Sequence, residues 1–152
     1  MPQRRAVTAA VSVAIEGTRV PISRARAAAI ARAVLKAEKV RDAMLSITFV
    51  SDRAMRGLNK RHLRRDRVTD VIAFGFRRVA KSEPLIGDVY IAPGVAKASA
   101  AANGVSAREE TVRLIVHGVL HVLGYDHPEA DRARSAMWRR QERLVARLAA
   151  VR

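Results

Sequence analysis

The sequence contains no cysteine, few aromatic residues and no long apolar run. The first absence excludes a disulfide framework and any thiolate metal site, so a transition metal could be held only by histidine nitrogen or carboxylate oxygen. The second, with aromatics at 4%, excludes extensive base stacking as a way of holding nucleic acid. The third bears on membranes. The longest apolar stretch, residues 114–123, is broken by His117 and His121 and is far shorter than a bilayer span. The basic start, MPQRR, runs into a strand-like stretch with no apolar signal core. No membrane association is expected, and the default location is cytoplasmic.

Acidic residues are scarce as well: 14 against 29 basic ones, a net charge of +15. Such an excess concentrates polyanions around a molecule and favours nucleic acid or another acidic partner. Only five of the basic residues are lysine, the rest being arginine amid abundant alanine and valine. A GC-rich genome produces the same bias, so charge alone identifies no function. What is present is ordinary for a globular chain. The 152 residues fit one domain, 1–152, and the apolar fraction is 49%. A chain of this length buries roughly two-thirds of its unfolded surface, enough for a core without staples.

Periodicity supplies the elements. Residues 7–15 (VTAAVSVAI) partly alternate and read as a strand ended by Gly17. Pro21 and Ser23 open a helix over about 23–40, with Ile30, Val34 and Leu35 on one face. Residues 44–50 alternate as a half-buried strand. Ser51 or Asp52 caps a helix to about residue 62, and a basic loop, LRRDR, leads into a β-rich run over 69–76. A turn at 81–84, a strand over 86–92 and a helix opened by Pro93 and closed by Asn103–Gly104 follow. Ser106 and Glu109 form a capping box for the next helix, whose residues 112–123 are apolar nearly all round. That helix is expected inside the domain rather than on it. A last helix, over about 128–150, turns Met137, Leu144, Val145 and Leu148 inward. The order β-α-β-α-β-β-α-α-α implies an α/β (α+β) domain, a mixed sheet of about four strands packed with several helices.

The chemistry is concentrated in residues 117–127, HGVLHVLGYDH. His117 and His121 stand four apart on a helical pattern, so both imidazoles leave one face. That spacing suits two ligands of one tetrahedral zinc. Gly124 stops the helix, and His127 can swing back as a third ligand, leaving one coordination position for water. Ordinary core histidines are the competing reading. Against it, three of the four histidines fall within eleven residues, in an apolar helix where an unpaired imidazole is costly. The metzincin protease motif, H-E-x-x-H-x-x-G-x-x-H, has the same histidines and glycine. Gly118 replaces its general-base glutamate, which argues against peptide hydrolysis by that route.

HGVLHVLGYDH resembles the signature of the YbeY family, H-G-x-L-H-L-x-G-Y-D-H. Residues 58–74, LNKRHLRRDRVTDVIAF, are similar to the family's L-N-x-x-x-R-x-x-D-x-P-T-D-V-L-S-F, and residues 86–93, IGDVYIAP, to its L-G-D-I-x-I-x segment. The resemblance covers most of the chain from about residue 40 onward. It implies a zincin-like fold with one Zn2+ ion and single-strand-specific, metal-dependent endoribonuclease activity. It implies a role in maturing rRNA, notably the 16S 3′ end, and in ribosome quality control. RNA and ribosomal particles are the partners it implies, with ribosomal proteins or a GTPase as further ones.

Carried over residue by residue, the resemblance puts zinc on His117, His121 and His127. Asp126 then orients a histidine ligand or acts as base toward water, or is a plain helix-stop aspartate. Thr69 and Asp70 fall beside the metal cleft or simply form a turn before a strand, and Asp88 has the same ambiguity. Where the family has an arginine, six residues before the T-D pair, this chain has Leu63. Arg64 and Arg65 follow it and are the candidates to stabilise a phosphorane-like transition state. Arg61, with Arg132, Arg139, Arg140 and Arg143 of the last helix, holds the RNA backbone or makes a solvated face. Two rival readings remain: a ribosome-associated assembly factor whose zinc is mainly structural, or a zinc hydrolase of another substrate.

Overall fold

The computed structural model describes residues 9–63, 69–76, 78, 80, 82–125 and 135–150. Helix starts follow from single serines. Ser23, Ser51, Ser106 and Ser135 each accept a hydrogen bond from the backbone N–H three residues on, at 3.0 to 3.2 Å. Each satisfies a donor that the first helical turn leaves orphaned. The helices they open are α1 (Arg24–Ala37), α2 (Asp52–Leu58), α4 (Ala107–Val122) and α5 (Ala136–Ala149); α3 (Pro93–Asn103) instead begins on proline. Only half of the expected capping box at Ser106 forms, because the Glu109 carboxylate turns to Arg113 instead.

Four strands, β1 (Ala10–Glu16), β2 (Ala43–Val50), β3 (Val71–Phe76) and β4 (Leu85–Ile91), form one sheet in the order β1-β2-β4-β3. The first three in that order run parallel, and β3 runs antiparallel along the edge beside β4. In β2 and β4 alternate residues are buried, so Leu45, Ile47 and Phe49 with Leu85, Val89 and Ile91 face the helices. Ala73 pairs with Val89, which turns Val71, Ala73 and Gly75 of the edge strand toward the same layer. On the other face, α2 covers only one end, through Met55 against Val50, Ile72 and Ala92.

Helix α4 is the centre of the molecule. It packs on α1, α3, α5, β3 and β4, and Val112, Leu114, Ile115, Val116, Val119 and Leu120 are all buried. Each such side chain contributes roughly 1.5–3 kcal/mol relative to exposure, so a helix carrying polar imidazoles is anchored by its apolar neighbours. It ends as the glycine predicts: Gly124 has φ of 101°, Gly124 N–H donates to the His121 carbonyl, and Tyr125 N–H to that of Leu120, each at 3.0 Å.

Several boundaries differ from the periodicity. Helix α1 stops three residues early, because Lys39 takes a left-handed φ of 58° and Val40 N–H bonds back to the Leu35 carbonyl at 2.9 Å. The helix expected to run to residue 62 ends at Leu58 and continues as a wider π-helical turn, Asn59–Leu63. The last helix starts at Ala136, since Ser135 caps it there. Among the described residues, no helix is long and apolar enough to cross a membrane.

Candidate active site

Residues 117 and 121 lie one turn apart on α4 and project together, with ring centroids 4.8 Å apart and planes at 72°. Both are half-buried. The Nδ1 atom of His117 lies 2.7 Å from Oε1 of Gln141 on α5. A ring nitrogen engaged in this way leaves the other one for a metal, the usual state of a liganding histidine. Among the described residues, no group of three His, Cys, Asp or Glu side chains completes a metal site. His127 and Asp126 lie outside the described residues, as do Arg64, Arg65 and Arg132. The two donors present fit zinc in kind, imidazole nitrogen being a preferred ligand; the third expected from the sequence, His127, belongs to the chain that follows Gly124.

The start of that chain is pinned. Tyr125 donates its phenol hydrogen to Glu38 of α1 at 2.9 Å, and Arg140 of α5 pairs with the other oxygen of the same carboxylate. The hydrogen bond to Glu38 pushes the Tyr125 pKa above its ordinary value, with burial adding to the shift. Arg140 is likewise held in its charged form by Glu38. Its guanidinium therefore serves this junction, unlike those of Arg139 and Arg143, which are exposed on the outer face of α5.

A cavity of about 430 Å³ opens beside His117, lined among others by Asp70, Asn103, Arg113, Trp138 and Gln141. Asp70 is fixed at its rim by the backbone, its carbonyl accepting from Ala92 N–H at 2.8 Å. Its neighbour Thr69 accepts a hydrogen bond from Nδ2 of buried Asn59 at 2.9 Å. His121 lines a second depression, with Gly75, Phe76 and Gly124, farther along the same edge strand. The structure thus brings Asp70 to His117, but it does not bring every candidate there. Arg61 lines a separate groove with Arg53 and Tyr90. Asp88 points from the opposite face of the sheet and accepts from Ser46 Oγ at 2.6 Å.

Position 118 explains itself. A Cβ added to Gly118 would stand 2.5 Å from Cγ1 of Val89, so the residue after the first histidine is pressed against β4. A glutamate there has no room, and the protease-type general base is excluded by packing as well as by composition.

Periodicity and spacing missed Gln141, Glu142 and Arg113. Arg113 donates to both oxygens of Glu142, at 3.0 Å from Nε and 3.0 Å from Nη2, and to Glu110 at 2.9 Å. The bonds to Glu142 raise the Arg113 pKa against the opposing effect of burial, so the group stays charged. One signal existed. Met137, Gln141, Leu144 and Val145 are the buried positions of α5, so a glutamine interrupts an otherwise apolar stripe.

A mixed sheet beneath a buried helix that carries a His-x-x-x-His pair defines a zincin-like α/β domain. Within that class the chain belongs to the YbeY endoribonuclease family, whose model, Endoribonuclease YbeY, matches residues 12–149. It is 38% identical over 148 residues to an Endoribonuclease YbeY of Frankia alni, covering 90% of this chain and 81% of that one. It is 32% identical over 138 residues to that of Geobacter metallireducens, covering 89% and 92%. The solution structure of TM1509 from Thermotoga maritima shares the fold, with a TM-score of 0.61, 21% identity and coverage of 91% and 88%.

Proposed function

We infer that this chain is a single-strand-specific endoribonuclease of rRNA maturation, acting on the 16S 3′ end and in ribosome quality control, with one zinc ion on His117, His121 and His127. Family membership supports the endoribonuclease role. The observation that carries the chemistry is the imidazole pair on one face of α4, with His117 Nδ1 engaged by Gln141. Zinc bound there supplies a Lewis acid that lowers the pKa of water toward about 7 and polarises a phosphoryl oxygen.

The chain's own groups do the rest. The cavity beside His117 receives the nucleotide, and Asp70 at its rim orients it. Asp126 is the acid–base group or the carboxylate that orients a ligand, and Arg64 and Arg65 stabilise charge developing on the phosphate. Arg61, Arg139 and Arg143 hold the backbone on either side. The RNA partner is presented on ribosomal particles, and the enzyme works in the cytoplasm. The test is metal removal. Dialysis against a chelator should abolish cleavage of single-stranded rRNA fragments, and one equivalent of Zn2+ should restore it. Full cleavage by demonstrably zinc-free protein would contradict the reading.

A further inference from the structure

Four polar side chains join α4 to α5, and their donors and acceptors can be matched in only one direction. Arg113 has five N–H donors and no acceptor. It holds Glu142 through Nε to Oε2 at 3.0 Å and through Nη2 to Oε1 at 3.0 Å, so both carboxylate oxygens are acceptors. Gln141 must then present its NH2 end to Glu142, and Nε2 does lie 3.2 Å from Oε2. Turning the amide over would set two oxygens against each other. The amide carbonyl is thereby aimed at His117, 2.7 Å from Nδ1. A carbonyl oxygen cannot donate, so the proton belongs to Nδ1 and the lone pair to Nε2.

We propose that Gln141 is a positioning residue that fixes His117 in the tautomer whose Nε2 binds a metal, its own orientation being dictated by Arg113 through Glu142. The proposal rests on the reading of His117 as a zinc ligand. The geometry makes the clip specific. Arg113 and His117 are one turn apart on α4, while Gln141 and Glu142 are consecutive on α5, so two neighbouring pairs close one circuit. Gln141 is 2% exposed, which keeps water from competing for the Nδ1 proton. Imidazole in water favours the proton on Nε2, so without the clip the ring would have to exchange tautomers before binding.

The test compares wild type with Gln141→Met, which keeps the length of the side chain without its amide, and Gln141→Glu, which keeps an acceptor. Long-range 1H–15N spectra of the metal-free full chain report the His117 tautomer, and competition with a chromophoric chelator reports Zn2+ affinity. Wild type should show the proton on Nδ1. Gln141→Met should move it toward Nε2 and weaken Zn2+ binding by about 10–100-fold. Gln141→Glu, made together with Glu142→Gln so that no two carboxylates face each other, should keep it on Nδ1 and bind Zn2+ within a few-fold of wild type. A wild-type proton on Nε2, or an unchanged tautomer in Gln141→Met, would overturn the proposal even if zinc binds tightly. An Nδ1–H tautomer in a wild type that binds no Zn2+ would instead overturn the metal reading, and with it the purpose assigned to the clip.

Discussion

Gly118 and Gln141 occupy positions where one atom decides what the site can be. At Gly118 the close approach of Val89 leaves no space for a side chain, so Gly118→Ala should push β4 and α4 apart. Overpacking of this kind costs roughly 1–3 kcal/mol, measurable as a lower denaturant midpoint in urea. A midpoint equal to wild type would show that the helix and strand are not locked together here. The histidine pair was legible in the sequence because a helix brings residues four apart onto one face, and Gly124 marked where that helix stops. Gln141 was not legible as a partner of His117. The two are 24 residues apart, and nothing local says that α5 lies across α4 at that turn. Arg140 was misleading for a similar reason: one arginine of a basic helix is committed to Glu38, while its neighbour Arg139 stays exposed.

At the scale of elements, local chemistry and long-range pairing separate cleanly. The order of helices and strands followed from periodicity, and the caps at Ser23, Ser51 and Ser106 from their position before a helical run; Ser135 did not, since periodicity places it inside a helix over about 128–150. Ser106 shows what one such cap is worth. Its Oγ accepts from Glu109 N–H at 3.0 Å at the head of the helix that carries both histidines. Ser106→Ala should therefore cost about 1 kcal/mol and lower the thermal midpoint without altering zinc stoichiometry. Loss of zinc together with an unchanged midpoint would contradict that assignment. The sheet order was beyond local reading. β4 inserts between β2 and β3, and parallel pairing joins strands that are distant in sequence. The early end of α1 was also hidden, since it depends on a lysine adopting the left-handed conformation that glycine usually supplies.

For the whole molecule the feature that bears on RNA binding is the net charge of +15. Arg61 on the π-helical turn and Arg139 and Arg143 on α5 are all exposed, as expected of contacts to a backbone that passes over the surface. With aromatics at 4%, phosphate charge should dominate affinity. Three contacts to single-stranded RNA predict a slope of roughly −2 for log affinity against log salt. Filter binding across a salt series checks it, and a flat response would contradict electrostatic recognition. The central claim, that cleavage takes place at the α4 histidines, is tested most directly by His121→Ala purified in parallel with wild type and assayed on labelled single-stranded rRNA fragments. The paired purification matters because so basic a protein can carry a contaminating nuclease. Cleavage by wild type alone, with both proteins folded and both binding RNA, is the predicted result. Equal cleavage by the two would contradict it and favour a ribosome-assembly role with a structural metal.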